Sequence, residues 1–254
     1  MLFKAWGTTC PCKHGTCNHN GLPQQTRLAR FDGGSFVNAS IRNIYIYKLL
    51  VLMRDYLQWK ERGFESPSPF YIKQAVILRN GFSNATWIET GTYLGQTTRV
   101  LSKHATKVYS LEPEPTLFAN AQSLFRNISN IEILNGTSEE VLPSLLPKVH
   151  NDVNFWLDGH YSAGPTFKGE KDTPIIEELR EIANNLSHFR NVCVLIDDIR
   201  CFTTEQAEYS SYPRLELLVD WTRENNFRWH IEHDIFVARR SIRLDQSRRI
   251  RADS

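Results

Sequence analysis

The sequence predicts an α/β fold: a doubly wound, mostly parallel sheet that ends in an antiparallel strand pair and is preceded by a helical extension. Five short runs of β-branched and aromatic residues alternate with amphipathic stretches, which is the pattern of parallel strands with helices on both faces of the sheet. Two further runs near the C-terminus are only three residues apart, which indicates a hairpin at the sheet edge. The predicted strands are 85–89, 107–111, 131–134, 153–158, 192–197, 227–231 and 235–239.

Length and composition indicate one main domain with a substantial core. The chain has 254 residues, of which 41% are hydrophobic and 23% are charged, as in ordinary globular proteins. The net charge is only +2, and the six arginines between Arg239 and Arg251 form a local basic tail, so a nucleic-acid partner is not favoured. We expect an irregular arm and helical cap over residues 1–80, the sheet domain over 81–242 and the tail over 243–254.

The first ~38 residues have neither helical nor alternating periodicity, which indicates an irregular arm. The arm contains Cys10, Cys12, His14, Cys17 and His19. A zinc site is one interpretation, but the histidines interleave with the cysteines instead of forming a separate pair, which favours an unliganded arm. The cysteines of the chain form no regular framework, and no secretory signal follows the first residue, so a cytoplasmic location is expected.

Two helices are predicted ahead of the sheet, over residues 41–62 and 68–78. The most apolar stretch, between Ile44 and Met53, is interrupted by Lys48 and falls short of the ~20 apolar residues that cross a bilayer. This helix is therefore expected to be buried or to face a partner, and a homo-oligomer formed through it is one expected assembly.

The end of the first predicted strand indicates a ligand that carries no phosphate. Ligands of doubly wound sheets bind at the carboxyl ends of the strands. At this strand end the chain has Glu89, Thr90, Gly91, Thr92 and Tyr93. Tyr93 and Leu94 fill the space between two glycines, and Glu89 places a carboxylate where the phosphates of a dinucleotide would bind. This disfavours a nicotinamide cofactor and favours a ligand with a cationic ammonium group, such as the methionine half of S-adenosylmethionine.

The next two strand ends complete a candidate cofactor site. Glu112 ends the second strand, 23 residues after Glu89, where an acidic residue commonly binds the hydroxyls of a ribose. The third strand runs into Thr137 and Ser138, a small polar turn whose backbone can approach an adenine ring.

Over residues 85–198 the sequence resembles the class I S-adenosylmethionine-dependent methyltransferases, whose fold is Rossmann-like. The resemblance implies that Glu89 and Gly91 lie at the methionine moiety, Glu112 at the ribose, and Thr137 and Ser138 near the adenine. The middle glycine that is common in the first motif of this family is replaced here by Thr92 or Tyr93.

The fourth and fifth predicted strands end in acidic residues. Asp158 and His160 follow one strand, and Asp197 and Asp198 follow the other. Clustered carboxylates repel one another unless a cation compensates them, and oxygen ligands with retained water suit Mg²⁺. The sequence therefore predicts a magnesium site formed by Asp158, Asp197 and Asp198.

This arrangement resembles the metal-dependent small-molecule O-methyltransferases of the catechol and macrocin types, with Asp198 where the catechol enzymes have asparagine. The resemblance implies that Asp158 and His160 are catalytic and that Mg²⁺ holds a small-molecule hydroxyl acceptor, such as a sugar or another polyol. A metal ion lowers the pKa of such a hydroxyl, and His160 can accept the proton at neutral pH. The loop 161–172 is a candidate substrate lid, and its Lys168 and Lys171 are alternative bases.

Two other functions remain open. A metal-independent O- or N-methyltransferase would use the acidic cluster only to orient the substrate. A protein that binds S-adenosylmethionine without catalysis would use the helix between Ile44 and Leu57 for assembly.

Overall fold

The computed structural model describes residues 34–158, 173–203, 209 and 212–241, with side chains from Ile46 onward. The chain divides into two units, Met1–Leu50 and Val51–Ser254. The first helix, α1, spans Gly34–Glu61 and begins seven residues before the predicted start at residue 41. The Cys/His-rich arm and the basic tail lie outside the described residues, so both interpretations stay predictions.

A seven-stranded sheet forms the body of the second unit and confirms the predicted α/β fold. Its spatial order is β3-β2-β1-β4-β5-β7-β6. Strands β1 to β5 are parallel, whereas β7 is antiparallel to β5 and to β6. The strands are β1 Thr86–Thr90, β2 Lys107–Glu112, β3 Ile131–Asn135, β4 Asn151–Leu157, β5 Phe189–Ile196, β6 Arg228–Glu232 and β7 Ile235–Ser241. All seven predicted strands are present, with ends displaced by up to three residues.

Six further α-helices connect or precede the described strands. They are α2 Phe70–Asn80, α3 Gln96–Leu101, α4 Pro115–Phe125, α5 Ser138–Leu145, α6 Ile175–Asn184 and α7 Leu215–Glu224. Short 3₁₀ turns cover Leu146–Lys148, Leu186–His188 and Ile199–Phe202. Local sequence explains the helix starts: the Glu114 carboxylate accepts a 2.6 Å hydrogen bond from the Leu117 N–H, and Pro115 follows at the first helical position.

The two faces of the sheet are covered by different helices. On one face α5, α6 and α7 pack against side chains such as Ile88, Phe155 and Val194. On the other face α2 contributes Val76 and Ile77 to a cluster that includes Trp87, Cys193 and Leu195. Helix α2, which the sequence pattern placed in the N-terminal cap, therefore belongs to the core of the sheet, and Lys73 in its first turn reaches the end of β5.

Helix α1 carries exposed apolar side chains from Ile46 onward. They are Ile46, Tyr47, Leu49, Leu50, Leu52, Met53, Tyr56 and Leu57. Self-association through this helix stays a prediction. Among the described helices, none combines the length and the apolar character that a membrane span requires.

Candidate functional site

The strand ends that carry the predicted site meet where the strand order reverses between β1 and β4. The backbone ladder continues past the strands: the Asp158 N–H donates to the Thr90 carbonyl at 3.2 Å, and the Asp197 N–H donates to the Leu157 carbonyl at 3.1 Å. The ends of β1, β4 and β5 are thus aligned. Asp158 and Asp197 are thereby held at one edge of the sheet.

The loop after β1 is fixed to the end of β2. The Gly91 and Thr92 N–H groups donate to the Leu111 carbonyl at 3.1 and 3.0 Å. Gly95 has φ +71°, and a Cβ placed there would lie 2.6 Å from the Phe125 ring. Glycine is therefore required at residue 95 by both conformation and space. The side chain of Tyr93 is 49% exposed at the top of this loop.

The Glu112 carboxylate is oriented by two backbone donors at the end of β2. The Tyr93 N–H donates to Oε2 at 2.8 Å and the Glu114 N–H donates to Oε1 at 3.0 Å. Burial raises the pKa of Glu112, and these two bonds offset part of that rise. Each carboxylate oxygen can accept more than one hydrogen bond, so Glu112 retains capacity for the hydroxyls of a ligand.

Glu89 is buried beneath the loop that follows β1. It is only 1% exposed, and its Oε2 accepts hydrogen bonds from Thr98 Oγ1 at 2.5 Å and Ser110 Oγ at 2.6 Å. Ser110 Oγ in turn lies 2.7 Å from Thr92 Oγ1. Burial raises the pKa of Glu89 to about 7. The predicted contact of Glu89 with a cofactor ammonium stays a prediction.

The turn after β3 opens α5. The Thr137 N–H donates to Glu140 Oε2 at 3.2 Å, as in a capping box. Ser138 is buried, and its hydroxyl donates to Glu139 Oε2 at 3.3 Å. Burial raises the pKa of Glu178 of α6 to about 7, and the hydroxyls of Ser138 and Thr90 offset part of that rise. The sequence analysis missed Glu178, although a glutamate one position before Leu179 on the buried face of an amphipathic helix is an available signal.

Lys73 of α2 reaches the acidic cluster and was also missed. Its Nζ lies 2.6 Å from Asp197 Oδ2 and 3.4 Å from Asp198 Oδ1. Burial opposes the charged form, but Asp197, Asp198 and, more weakly, Asp158 outweigh it and raise the pKa of Lys73. All three predicted metal ligands therefore interact electrostatically with the ammonium group of Lys73.

A second cation ties the end of β5 to the β6–β7 hairpin. Arg200 Nη1 donates to Asp198 Oδ1 at 2.6 Å and also pairs with the Asp234 carboxylate. The Arg200 backbone N–H donates to Asp234 Oδ1 at 2.9 Å. Asp198 itself has φ +53°, a left-handed conformation that is uncommon for residues other than glycine. These contacts fix the position of the Asp198 side chain.

The predicted magnesium ligands are not gathered into a metal-binding group. Within the part of the chain that the structure describes, no cluster of three His, Cys, Asp or Glu side chains is placed to hold an ion. Asp197 Oδ1 is nevertheless buried and has no hydrogen-bond partner in the described part of the chain, so one acceptor at this edge is available to a ligand. His160, Lys168 and Lys171, with the rest of the predicted lid, lie outside the described residues.

Comparison with known proteins finds solved structures that are similar to this chain at low sequence identity. No known protein family matches the sequence, and no curated protein matches it. A SAM-dependent methyltransferase from Aquifex aeolicus is 15% identical, with a TM-score of 0.44 over 71% of this chain and 95% of that one. Fibrillarin from Aeropyrum pernix, solved with natively bound S-adenosyl-L-methionine, is 14% identical, with a TM-score of 0.43 over 65% and 74%. An rRNA methylase from Streptococcus thermophilus is 12% identical, with a TM-score of 0.40 over 69% and 96%.

Proposed function

We propose that this chain is an S-adenosylmethionine-dependent methyltransferase whose cofactor binds at the carboxyl ends of β1, β2 and β3. The observation that carries the proposal is the Glu112 carboxylate, which two backbone N–H groups hold at the end of β2 beside the Gly91–Gly95 loop. An oriented acceptor at this place suits the two hydroxyls of a ribose. The carboxylates of Glu112 and Asp158 near the loop suit a cofactor with cationic groups better than one with phosphates.

The acceptor is proposed to bind at the ends of β4 and β5. The buried, unpartnered Oδ1 of Asp197 supports this placement, because a buried carboxylate oxygen without a donor is costly and a substrate hydroxyl or amine supplies one. Small-molecule O-methylation, with a sugar or another polyol as the acceptor, rests on the resemblance of the sequence. In this scheme Asp197 orients the acceptor, and His160 keeps its predicted role as the base.

The carboxylates at this edge of the sheet are better suited to the Lys73 ammonium group than to Mg²⁺. A magnesium ion held by Asp158, Asp197 and Asp198 would have to displace an ammonium group that lies 2.6 Å from Asp197 Oδ2. Asp198 Oδ1 is also engaged by Arg200 at 2.6 Å. We therefore favour methyl transfer without a divalent ion. Burial raises the pKa of Asp197, and the Lys73 ammonium offsets part of that rise and so favours the ionised carboxylate.

Calorimetric titration with S-adenosylhomocysteine tests the cofactor site. We expect a dissociation constant in the micromolar range, and an increase of about 10- to 100-fold for Glu112→Gln, because hydrogen bonds to a charged acceptor contribute about 1.5–3 kcal/mol. Glu132→Gln is the matched control, since Glu132 is an exposed glutamate on the neighbouring strand. Preferential binding of a nicotinamide dinucleotide would overturn the proposal, whereas cofactor binding without turnover on any acceptor would indicate the non-catalytic alternative.

A further inference from the structure

A cavity lies along the β6–β7 hairpin. It has a volume of about 360 Å³, and its lining includes Phe82, Arg228, Trp229, His230, Arg239 and Arg240. Ser241 and Arg240, which also line the cavity, pair with Asn191 and Val192 in the first half of β5, whereas the acidic residues of the candidate site follow Ile196 at the end of that strand. The cavity is therefore separate from the proposed cofactor and acceptor sites.

Two arginines face each other across the hairpin in this cavity. Arg228 and Arg239 are direct register partners on β6 and β7, so their side chains lie on the same face. Like charges placed directly opposite one another destabilise a strand pair. The Arg239 guanidinium lies 4.4 Å from the centre of the Phe82 ring, and its Nε is buried without a hydrogen-bond partner among the described residues. The pair thus carries an electrostatic cost and an unsatisfied donor.

Further along the same hairpin, a carboxylate lies beside the basic side chains. Glu232 pairs with Arg79, and His230 Nε2 lies 3.7 Å from Glu232 Oε2. In the part of the chain that the structure describes, no carboxylate pairs with Arg228, Arg239 or Arg240. An anion bound at the Arg228–Arg239 pair would therefore be stabilised by both guanidinium groups, and the cavity has room for one.

We propose that this cavity binds a phosphate group. Guanidinium groups match the oxygens of a phosphate in geometry and charge, and a group placed between Arg228 and Arg239 would relieve their repulsion and give the Arg239 Nε an acceptor. The volume lies within the range of small-ligand pockets. The phosphate is supplied either as the free ion or as an ester of a small polar molecule. This site is independent of the proposed methyltransferase activity.

Thermal unfolding and calorimetry of the full chain test the proposal in phosphate-free buffer with saturating S-adenosylhomocysteine. The probes are inorganic phosphate and ribose 5-phosphate, with ribose and chloride at matched ionic strength as controls. We expect the phosphates, and not the controls, to raise the melting temperature. Tighter binding of ribose 5-phosphate would identify an ester as the ligand, and equal binding would identify the phosphate group alone.

The variant Arg228→Gln distinguishes a loss of phosphate binding from a loss of stability. Arg228 is exposed, and its replacement removes the repulsion between Arg228 and Arg239. This variant should melt at a higher temperature than the wild type without phosphate, and should bind phosphate about tenfold more weakly. Arg228→Lys should bind with intermediate affinity, since it keeps the charge without the planar fork. Arg223→Gln, an exposed arginine on α7, is the control. Unchanged phosphate binding in Arg228→Gln, or no response of the wild type at millimolar phosphate, would overturn the proposal.

Discussion

Replacement of Lys73 by methionine tests whether an ammonium group or a metal ion compensates the acidic cluster. The substitution keeps an unbranched side chain that is one atom shorter and removes its charge. The pair is buried, with 16% of the Lys73 side chain and 5% of the Asp197 side chain exposed. Removal of one partner of a buried ion pair costs about 3–5 kcal/mol, and the residual exposure of Lys73 places the cost near the lower end. For a unit of about 200 residues, a loss of about 3 kcal/mol lowers the melting temperature by about 6–12 °C.

The pH dependence of this loss has a defined sign. The pKa of Lys73 is raised in the folded state, so its contribution to stability is complete below the ordinary pKa of 10.5 and is lost only as the pH rises above that value. In Lys73→Met the carboxylates of Asp197 and Asp198 lose their shared cation, so one of them should take up a proton more readily. The difference in melting temperature between the variant and the wild type should therefore shrink as the pH is lowered from 8 to 5.

The dependence of turnover and of stability on Mg²⁺ is the second test of the role of Lys73. We expect turnover of the wild type to persist in EDTA, and Mg²⁺ to stabilise Lys73→Met but not the wild type, because the variant leaves three acidic side chains without their shared cation. Lys73→Arg should restore stability, and Lys148→Met, at an exposed lysine, is the control. If EDTA abolished wild-type turnover and Mg²⁺ restored it, or if Lys73→Met melted like the control, the role assigned to Lys73 would be refuted.

Two further predictions concern the support of the site. Burial raises the pKa of Glu178 from 4.5 to about 7, so its contribution to stability is complete below pH 4.5 and is lost as the pH rises through 7. Glu178→Gln should therefore flatten the decline in melting temperature between pH 5 and 8, and an unchanged slope would contradict this. Gly95→Ala should destabilise by about 2–4 kcal/mol through backbone strain and the contact with Phe125, whereas Gly63→Ala, with φ +66° and no atom within 4 Å of an added Cβ, should cost only about 1 kcal/mol. Equal losses in denaturant unfolding would refute the steric argument.

The fold could be predicted because each strand carries its own signal. Runs such as 153–158 and 192–197 are apolar over the length of a strand, and the helices between them are amphipathic, so local pattern and tertiary structure agree. Strand ends were less well defined: β5 begins at Phe189, ahead of the apolar run that predicted it. Glu112 could be predicted for a similar reason, since its place at the end of β2 follows from the strand itself.

The partners of the acidic cluster could not be predicted in the same way. Lys73 and Asp197 are 124 residues apart, and nothing in the sequence around either residue specifies the other. Their contact depends on how α2 packs on the sheet through Val76 and Ile77, which is a tertiary property. Because this lysine was not paired with the carboxylates, the sequence analysis assigned their compensation to Mg²⁺. Glu178 is a different case, because a charged residue on the buried face of α6 is visible in the helical pattern.

The oxygens at this edge of the sheet favour the ammonium group over a divalent ion because two cations already engage them. Asp197, Asp198 and Asp234 form a connected cluster with Lys73 and Arg200, and Asp158 also acts on Lys73. When all of these groups are ionised, two negative charges remain, so net charge alone does not distinguish Mg²⁺ from singly charged groups. Geometry does distinguish them, because Mg²⁺ would have to displace Lys73 from Asp197 Oδ2 and compete with Arg200 for Asp198 Oδ1. A sulfonium carries one positive charge and displaces neither cation, so the remaining negative charge suits the cofactor of the proposed reaction without a metal ion.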